Sequence, residues 1–192
     1  RRPGFQRNWE NIIREWSLRW DKRIDGWWID GCYFNDVMYN VDEEPNVTSF
    51  AAALRAGNPN SILAFNGGVS VPHTVSSEED YTGGELNEPQ KIIHSRGKDK
   101  HAQLHFLSYL GKTWGTGPIR FSVEETIAFT RATTDYGGVV TWDVPHHQDG
   151  RIDETALAAL RELGRTVDQT RHLPIKAPMK WLSYSLKFLT VP

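Results

Sequence analysis

The stretch from Asp25 to Tyr33, DGWWIDGCY, places one carboxylate where an enzyme could use it. Gly26 and Gly31 bracket large apolar residues, a pattern typical of a short buried strand bounded by turn residues. Asp30 therefore stands where that strand leaves the core. In α/β barrels catalytic side chains stand at the ends of parallel strands, because the strand fixes the backbone while the loop presents the side chain. The alternative is a turn aspartate that caps Gly31.

Composition restricts the ligands that such a site could serve. The formal net charge is −2, so the chain lacks the basic field that attracts nucleic acid or an anionic membrane. Eight Trp, eight Phe and six Tyr supply rings of the kind that stack on the C–H faces of sugars, although core packing accounts for most such rings. The balance favours a neutral or weakly charged partner.

The compartment cannot be read from the cysteine content. Cys32 is the only cysteine of the chain, so no intrachain disulfide forms. We expect neither a signal peptide nor a membrane span, because no apolar run approaches the roughly 20 residues that a span needs. The start Arg-Arg-Pro, in place of Met, indicates either processing or a fragment of something longer, and the compartment of the parent protein stays open, with secreted and periplasmic among the options.

Helical and strand patterns alternate along the chain. Apolar residues recur at helical spacing in four stretches that begin near polar capping residues and end near turn residues. Short apolar runs between turn signals predict four strands. The predicted helices cover residues 8–21, 48–56, 123–134 and the stretch capped by Asp153, and the predicted strands cover residues 26–29, 61–65, 102–107 and 137–142.

This alternation predicts an α/β fold of parallel β/α units. A complete (β/α)8 barrel takes about 250 residues, and a long irregular loop at residues 69–101 uses up part of this 192-residue chain. We therefore predict about half of a TIM-type barrel over residues 1–172. Residues 173–192 are predicted to form a packing arm or an edge strand.

Several segments match one known pattern in the same order. The most specific is residues 137–164, in which a glycine-rich strand leads to a proline, an Asp-Gly turn and a helix. Together with GWWIDG (26–31), EDYTGGE (79–85), KTWGTG (112–117) and FSVEETI (121–127), it resembles the later part of glycoside hydrolase family 29, the α-L-fucosidases. The resemblance implies retaining hydrolysis of an α-L-fucoside, in which one carboxylate attacks the anomeric carbon and a second protonates the leaving oxygen.

The resemblance assigns the nucleophile to Asp30 and leaves the acid/base open. In many family members a glutamate stands nine residues before the aromatic residue that Trp114 matches, and this chain has His105 there. A histidine can act as a general acid, but a packed strand histidine is an equally good interpretation. Glu85, which resembles the glutamate of the family's Thr-Pro-Glu segment, is the alternative acid/base.

Further side chains near the strand ends are candidates for sugar contacts. Successive side chains of a strand point to opposite faces, so at most one of Trp27 and Trp28 can line the site. Glu79 and Asp80 are interpreted as a solvated acidic rim. The candidates for substrate binding are Trp28, Tyr33, Asn66, Trp114 and Trp142.

No cofactor and no metal are predicted. Adjacent histidines on a loop point apart, and no further ligand stands at the spacing expected for zinc. The glycine pairs do not fit a phosphate-binding loop. The sets weighed and set aside are Asp143, His146, His147 and Asp149 for zinc, and Asp36, Asp42 and Glu43 for calcium.

Three interpretations of the whole chain stay open. It is an active glycosidase, a non-catalytic carbohydrate-binding or scaffolding half barrel, or a fragment of a larger fucosidase. The family's earlier strands are missing in each case, and the open edge of a parallel sheet invites pairing. We therefore predict that the chain associates with itself or with a complementary half barrel, and that it binds a deoxyhexose glycoside rather than nucleic acid or a membrane.

Overall fold

The computed structural model describes residues 2–33, 39–69, 72–89 and 98–170, and the side chains of residues 168–170 lie outside this description. These ranges form a mixed α/β protein with short parallel sheets, an arrangement compatible with part of a TIM-barrel-like fold. The predicted arm at residues 173–192 lies outside the described residues. The helices are α1 (Pro3–Trp20), α2 (Val47–Leu54), α3 (Val123–Asp135) and α4 (Glu154–Thr170), and the strands are β1 (Gly26–Ile29), β2 (Ile62–Phe65), β3 (Lys98–Asp99), β4 (Ala102–Gln103), β5 (His105–Tyr109) and β6 (Val139–Asp143).

Side-chain caps explain where α3 and α4 begin. Ser122 forms a reciprocal capping box with Glu125, and α3 begins at residue 123, where the predicted helix begins. Asp153 accepts hydrogen bonds from the first backbone N–H groups of α4, which confirms that cap as well. The prediction for α1 is wrong by five residues, because Pro3 starts the helix and Asn8 lies inside it.

The parallel strands fall into two pairs. β1 pairs with β2 from Gly26 opposite Ile62 to Ile29 opposite Phe65. β5 pairs with β6 from His105 opposite Val139 to Tyr109 opposite Asp143. The two pairs are therefore the observed parts of the predicted β/α alternation.

Residues 80–86, here called the bridging segment, connect the two pairs by backbone hydrogen bonds. The N–H groups of residues 80 and 81 donate to Leu63 of β2, while Leu107 of β5 donates to Gly84 and accepts from Leu86. The sequence predicts only irregular loop here, because two glycines interrupt any strand pattern. Gly84 is required at its position, since its φ is +63° and a Cβ would lie 1.8 Å from the carbonyl oxygen of His105.

The apolar core has two parts, one beneath each strand pair. The first packs α1 and α2 against β1 and β2, and the second packs α3 against β5 and β6. Trp27 stacks on Trp20 of α1, whereas the indole of Trp28 bonds the carbonyl oxygen of Gly83 in the bridging segment. The two tryptophans therefore point to opposite faces of β1, as the alternation along a strand predicts.

The interpretation of Glu79 as part of a solvated rim is wrong. Its side chain is 1% exposed, and its carboxylate accepts hydrogen bonds from the backbone N–H groups of Phe65, Val75 and Ser76. Three backbone donors replace the water that the carboxylate loses on burial. Asp80 is bound by Arg55 at 2.6 Å. Both acidic residues therefore tie the loop before the bridging segment to β2.

One face of α1 is open. Its large apolar side chains Phe5, Trp9, Ile12 and Trp16 are 40–57% exposed. Phe5, Trp9 and Trp16 border a groove of about 380 Å³ that Trp28 and Asp30 also line. Within the described ranges, only β2 pairs with β1, so the other edge of β1 has no strand beside it. Across the same ranges, none of the helices has the length and apolarity to cross a membrane.

Candidate active site

Asp30 and Glu85, here called the carboxylate pair, accept hydrogen bonds from the same side-chain amide. Asp30 directly follows the last residue of β1, Asn66 directly follows the last residue of β2, and Glu85 lies in the bridging segment. The side-chain nitrogen of Asn66 donates one hydrogen bond to Asp30 Oδ1 at 3.0 Å and a second to Glu85 Oε2. Three neighbouring segments of the sheet thus bring together two carboxyl groups that are 55 positions apart in the sequence.

Asp30 is held through one of its two oxygens. Oδ1 also accepts the backbone N–H of Gly31 at 2.7 Å and the hydroxyl of Tyr33 at 3.2 Å. Oδ2 has no hydrogen-bond donor among the described residues, and the side chain is exposed. The negative charge of Asp30 raises the pKa of the Tyr33 hydroxyl, which therefore stays protonated as a donor at neutral pH. Asp30 has the arrangement of an anchored carboxylate with one oxygen free to react.

Glu85 has an environment that favours its neutral form. Its partial burial raises the pKa of the carboxyl group, and the negative charge of Asp30 raises it further. The hydrogen bond from Asn66 lowers this pKa, but the net shift is upward. A carboxylic acid with a raised pKa keeps its proton closer to neutral pH. The carboxylate pair therefore places a carboxyl group of raised pKa beside an anchored carboxylate.

Trp28 and Tyr33 lie with the carboxylate pair. The Trp28 indole N–H donates to the carbonyl oxygen of Gly83 at 2.9 Å, and its ring borders the same groove as Asp30. Tyr33 is 52% exposed beside Asp30. Both predicted substrate contacts are thus brought to the carboxylate pair by the structure.

His105 is placed apart from the carboxylate pair. It is the first residue of β5, its ring nitrogens lie 3.0 Å from the carbonyl oxygen of Thr82 and 2.9 Å from Thr141 Oγ1, and Tyr81 packs edge-on against it. Burial lowers the pKa of the imidazole, so the ring is neutral near pH 7. No described hydrogen bond joins His105 to Asp30, Asn66 or Glu85.

The two remaining tryptophan candidates differ in their surroundings. Trp142 points toward α3, where its indole N–H bonds Thr130 Oγ1 at 3.0 Å and its ring packs on Phe129. Trp114 lies in the loop after β5, where its ring is 4.7 Å from that of Tyr109. Of the two, Trp114 is on a loop that a ligand could reach, and Trp142 is part of the core.

Sequence reasoning did not single out Arg120, which shapes the wall beside Trp114. Its guanidinium lies 3.6 Å above the ring of Tyr109 and donates hydrogen bonds to the carbonyl oxygens of Tyr109 and Asn87. No local motif marks this arginine, because its partners come from two separate loops and a strand end. The same loop is fixed by Asp143, which accepts the N–H of Gly115 at 2.6 Å.

The described residues contain no cluster of His, Cys, Asp or Glu that could hold a metal ion. In the loop that follows β6, Asp149 binds Arg151 through its side chain, and the backbone N–H of His147 bonds the carbonyl oxygen of Arg151. These polar groups of the loop therefore bind one another. The calcium candidate Asp36 lies outside the described residues.

Comparison with solved structures gives the class of fold. No protein-family model matches the chain, and no curated protein matches it in sequence. The chain superposes on a variant of the endo-fucoidan hydrolase MfFcnA4 from glycoside hydrolase family 107 with a TM-score of 0.70 at 21% identity, covering 83% of this chain and 30% of that one. The endo-fucoidan hydrolase P5AFcnA of the same family gives a TM-score of 0.63 at 18% identity, covering 83% and 55% of the two chains.

An α-L-fucosidase also shares the fold. AlfC from Lactobacillus casei, solved with its α-L-fucose product, gives a TM-score of 0.57 at 14% identity and covers 83% of this chain and 44% of its own. The chain thus has a fold found in fucoidan hydrolases and in an α-L-fucosidase, and it spans between about a third and about half of the length of these structures. The family 29 resemblance of the sequence holds at the level of this fold, which family 107 shares.

Proposed function

We propose that the chain carries the catalytic carboxyl groups of a retaining glycoside hydrolase that cleaves α-L-fucosyl linkages, with Asp30 as nucleophile and Glu85 as acid/base. The observation that supports the proposal is the meeting of these two groups on the amide of Asn66. Both accepting oxygens lie within hydrogen-bond distance, about 3 Å, of one nitrogen, so they are at most about 6 Å apart. Retaining glycosidases hold their two carboxyl groups roughly 5–5.5 Å apart.

The environments of the two groups fit the two steps of such a reaction. In the first step Asp30 Oδ2 forms a bond to the anomeric carbon, the glycosidic C–O bond breaks, and the leaving oxygen takes the proton of Glu85. In the second step the Glu85 carboxylate removes a proton from water, the water oxygen bonds the anomeric carbon, and Asp30 leaves as a carboxylate. The raised pKa of Glu85 suits the acid role in the first step.

His105 is a weaker acid/base than Glu85 in this proposal. A general acid needs a proton at its working pH and a position within hydrogen-bond reach of the leaving oxygen. The buried ring of His105 is neutral near pH 7, and both of its nitrogens have protein partners. Glu85 meets both needs better, because its raised pKa favours the proton and one of its oxygens has no donor among the described residues.

The proposal includes a partner that completes the barrel. β1, β2, the bridging segment, β5 and β6 supply five adjacent segments of a parallel arrangement, and a TIM-type barrel has eight strands. The open face of α1 and the free edge of β1 border the groove that leads to Asp30. We expect this half barrel to associate through that face with a second copy or with a complementary half barrel.

Self-association is tested by light scattering at micromolar concentration. We expect a mass larger than one chain, and we expect the double variant Trp9→Glu/Trp16→Glu to reduce it to the monomer, because two charges would be placed on the open face. The matched control is Tyr136→Glu, which changes an equally exposed aromatic residue at the end of α3. A monomeric mass for the unchanged chain would eliminate self-association and leave the complementary half barrel as the partner.

The catalytic proposal is tested by hydrolysis of 4-nitrophenyl α-L-fucoside and of fucan oligosaccharides. Asp30→Asn removes the nucleophile, and we expect a loss of at least about 1,000-fold in kcat, by analogy with the loss of other covalent nucleophiles. Asp25→Asn is the matched control, because Asp25 precedes β1 and lies at the opposite end of the same strand. A 2-fluoro-fucosyl inhibitor should also add its mass to the peptide that contains Asp30. Equal activity of both variants would eliminate Asp30 as the nucleophile.

A second candidate function is a non-catalytic carbohydrate-binding or scaffolding module. The observation that favours it is the groove lined by the rings of Trp9, Trp16 and Trp28, since such rings can stack on sugar faces whether or not Asp30 reacts. Calorimetry with fucan oligosaccharides separates the two functions. Binding that survives Asp30→Asn, in a protein that releases no nitrophenol under any assembly state, would favour the module.

A further inference from the structure

The sequence predicts that Asn66 contacts the substrate, but its surroundings in the structure indicate a different role. Its side chain is 0% exposed, so it offers no surface to a bound sugar. It lies between β1 and the bridging segment, and its amide group is the contact that Asp30 and Glu85 share. The side chain is therefore placed to act on the two carboxyl groups rather than on the substrate.

The orientation of this amide is fixed by its surroundings. Asn66 Oδ1 accepts the backbone N–H of Gly68 at 3.1 Å, which leaves the NH2 group facing the carboxylate pair. The backbone of Asn66 is anchored on both sides, because its N–H donates to Ile29 at 2.7 Å and its carbonyl oxygen accepts from Cys32 at 3.0 Å. A flipped amide would lose the Gly68 bond and turn an oxygen toward two carboxyl groups.

The two carboxyl groups receive unequal numbers of donors. Asp30 Oδ1 accepts from Asn66, Gly31 and Tyr33, whereas the only described donor to Glu85 is Asn66. Donors stabilise the charged form of a carboxyl group, and burial favours the neutral form. One amide therefore fixes the separation of two carboxyl groups, one held by three donors at a strand end and the other held by that amide alone.

From this geometry we infer that Asn66 is a positioning residue that clamps Asp30 and Glu85 by one oxygen each and so presents their other oxygens to the substrate. The inference rests on the proposed function, in which Asp30 and Glu85 are the nucleophile and the acid/base. Asn66 touches neither the sugar nor the reacting atoms in this role. Its removal should therefore change the protonation and the alignment of the pair more than the binding of substrate.

The first test needs no catalytic activity. Glutamate side chains are labelled with 13C at Cδ, the signal of Glu85 is identified by its loss in Glu85→Gln, and its titration is followed by NMR. Asn66→Ala removes the donor that lowers the pKa of Glu85, so we expect the midpoint to move to higher pH. Asp30 and Tyr33 are the other titratable groups that act on Glu85 among the described residues, and both remain in the variant.

Two further variants keep this test decisive. Asn66→Asp preserves the size of the side chain if Asn66→Ala fails to fold, and it should raise the midpoint more, because it adds a third carboxyl group to the cluster. Asn58→Ala is the matched control, since Asn58 is a buried asparagine before β2 whose amide bonds the carbonyl oxygen of Ile24. A Glu85 midpoint that moves no more in the Asn66 variants than in Asn58→Ala would overturn the inference.

The second test uses turnover of 4-nitrophenyl α-L-fucoside. We expect Asn66→Ala to lower kcat about 100-fold, as misplacement of reacting groups by about 1 Å does, with KM nearly unchanged. The alkaline limb of its pH profile should move upward together with the Glu85 midpoint. Turnover by the unchanged chain with equal kinetics in the Asn66 and Asn58 variants would overturn the positioning role alone. If the unchanged chain has no turnover in any assembly state, the proposed function fails, and the titration still decides the role of Asn66.

Discussion

At the ends of β1 and β2 and in the adjoining bridging segment, Asp30 and Glu85 are each anchored by one oxygen, and the other oxygen has no donor in the part of the chain that the structure describes. On the β5–β6 side, His105 and Trp142 use every polar atom of their side chains in contacts inside the protein. All four residues were candidates for the site: Asp30 and Trp142 because they lie near strand ends, and Glu85 and His105 because of the family 29 resemblance. The structure therefore separates the candidates by whether a polar atom of the side chain still lacks a hydrogen-bond partner within the described residues.

Position along the strand explains much of this difference. Asp30 and Asn66 directly follow the last residues of their strands, where the backbone is fixed and the side chain leaves the ladder. His105 is the first residue of β5, and Trp142 lies within β6 on the face that packs against α3. Side chains within a strand pack against neighbouring layers, whereas those at its end can face a ligand.

The largest expected contrast between the two sides is catalytic. Glu85→Gln removes the proton donor while preserving size, and we expect kcat on fucan oligosaccharides to fall about 100- to 10,000-fold, the usual contribution of general acid–base catalysis. The loss should be smaller for 4-nitrophenyl α-L-fucoside, whose leaving group needs little protonation. His105→Gln should retain kcat within about threefold once corrected for the folded fraction. A larger loss in His105→Gln than in Glu85→Gln would reverse the assignment of the acid/base.

A smaller contrast is expected in stability. His105→Asn shortens a buried side chain whose ring bonds Thr82 and Thr141, so we expect about 2–4 kcal/mol less free energy of unfolding from the lost packing and the unpaired groups. Urea unfolding followed by circular dichroism measures this change. His147→Asn is the control on an exposed loop, and surface changes of this kind usually stay within about 0.5 kcal/mol. Equal stability of the two variants would show that His105 is not a packing residue.

The sequence contains different amounts of information about the two sides. Asp30 can be found from a local pattern, because an apolar run between two glycines marks the strand end within a few residues. Capping also acts locally, which is why the starts of α3 and α4 at Ser122 and Asp153 are predictable. The alternation of strands and helices follows from the same short-range signals.

The partnership of the carboxylate pair has no local signal. Glu85 reaches Asp30 only because the bridging segment pairs with β2 and β5, and its two adjacent glycines hide that segment from any periodic pattern. Glu79 shows the same limit, since its burial depends on three backbone N–H groups that a loop folds around it. The side chain of Asn66 is likewise predictable as a strand-end residue but not as the amide that the pair shares.

The smallest expected effect is the pH dependence that His105 gives to stability. Burial lowers the pKa of His105 in the folded state, so the unfolded state, with a pKa of about 6.5, binds the proton more readily. The contribution of neutral His105 to the free energy of unfolding is therefore fully present above about pH 6.5 and is lost as the pH falls below it, by at most about 1.4 kcal/mol per pH unit.

Glu85 has the opposite effect on the pH dependence of stability, because its raised pKa adds stability at low pH that is lost as the pH rises. The free energy of unfolding of the unchanged chain and of His105→Asn should therefore differ more at pH 7 than at pH 5, and the same comparison for Glu85→Gln should show the reverse. A His105 difference that is constant between the two pH values would mean that folding does not shift the pKa of the imidazole. A difference larger at pH 5 than at pH 7 would mean that the folded protein favours the charged imidazole, and the β5–β6 side would then hold a proton donor of its own.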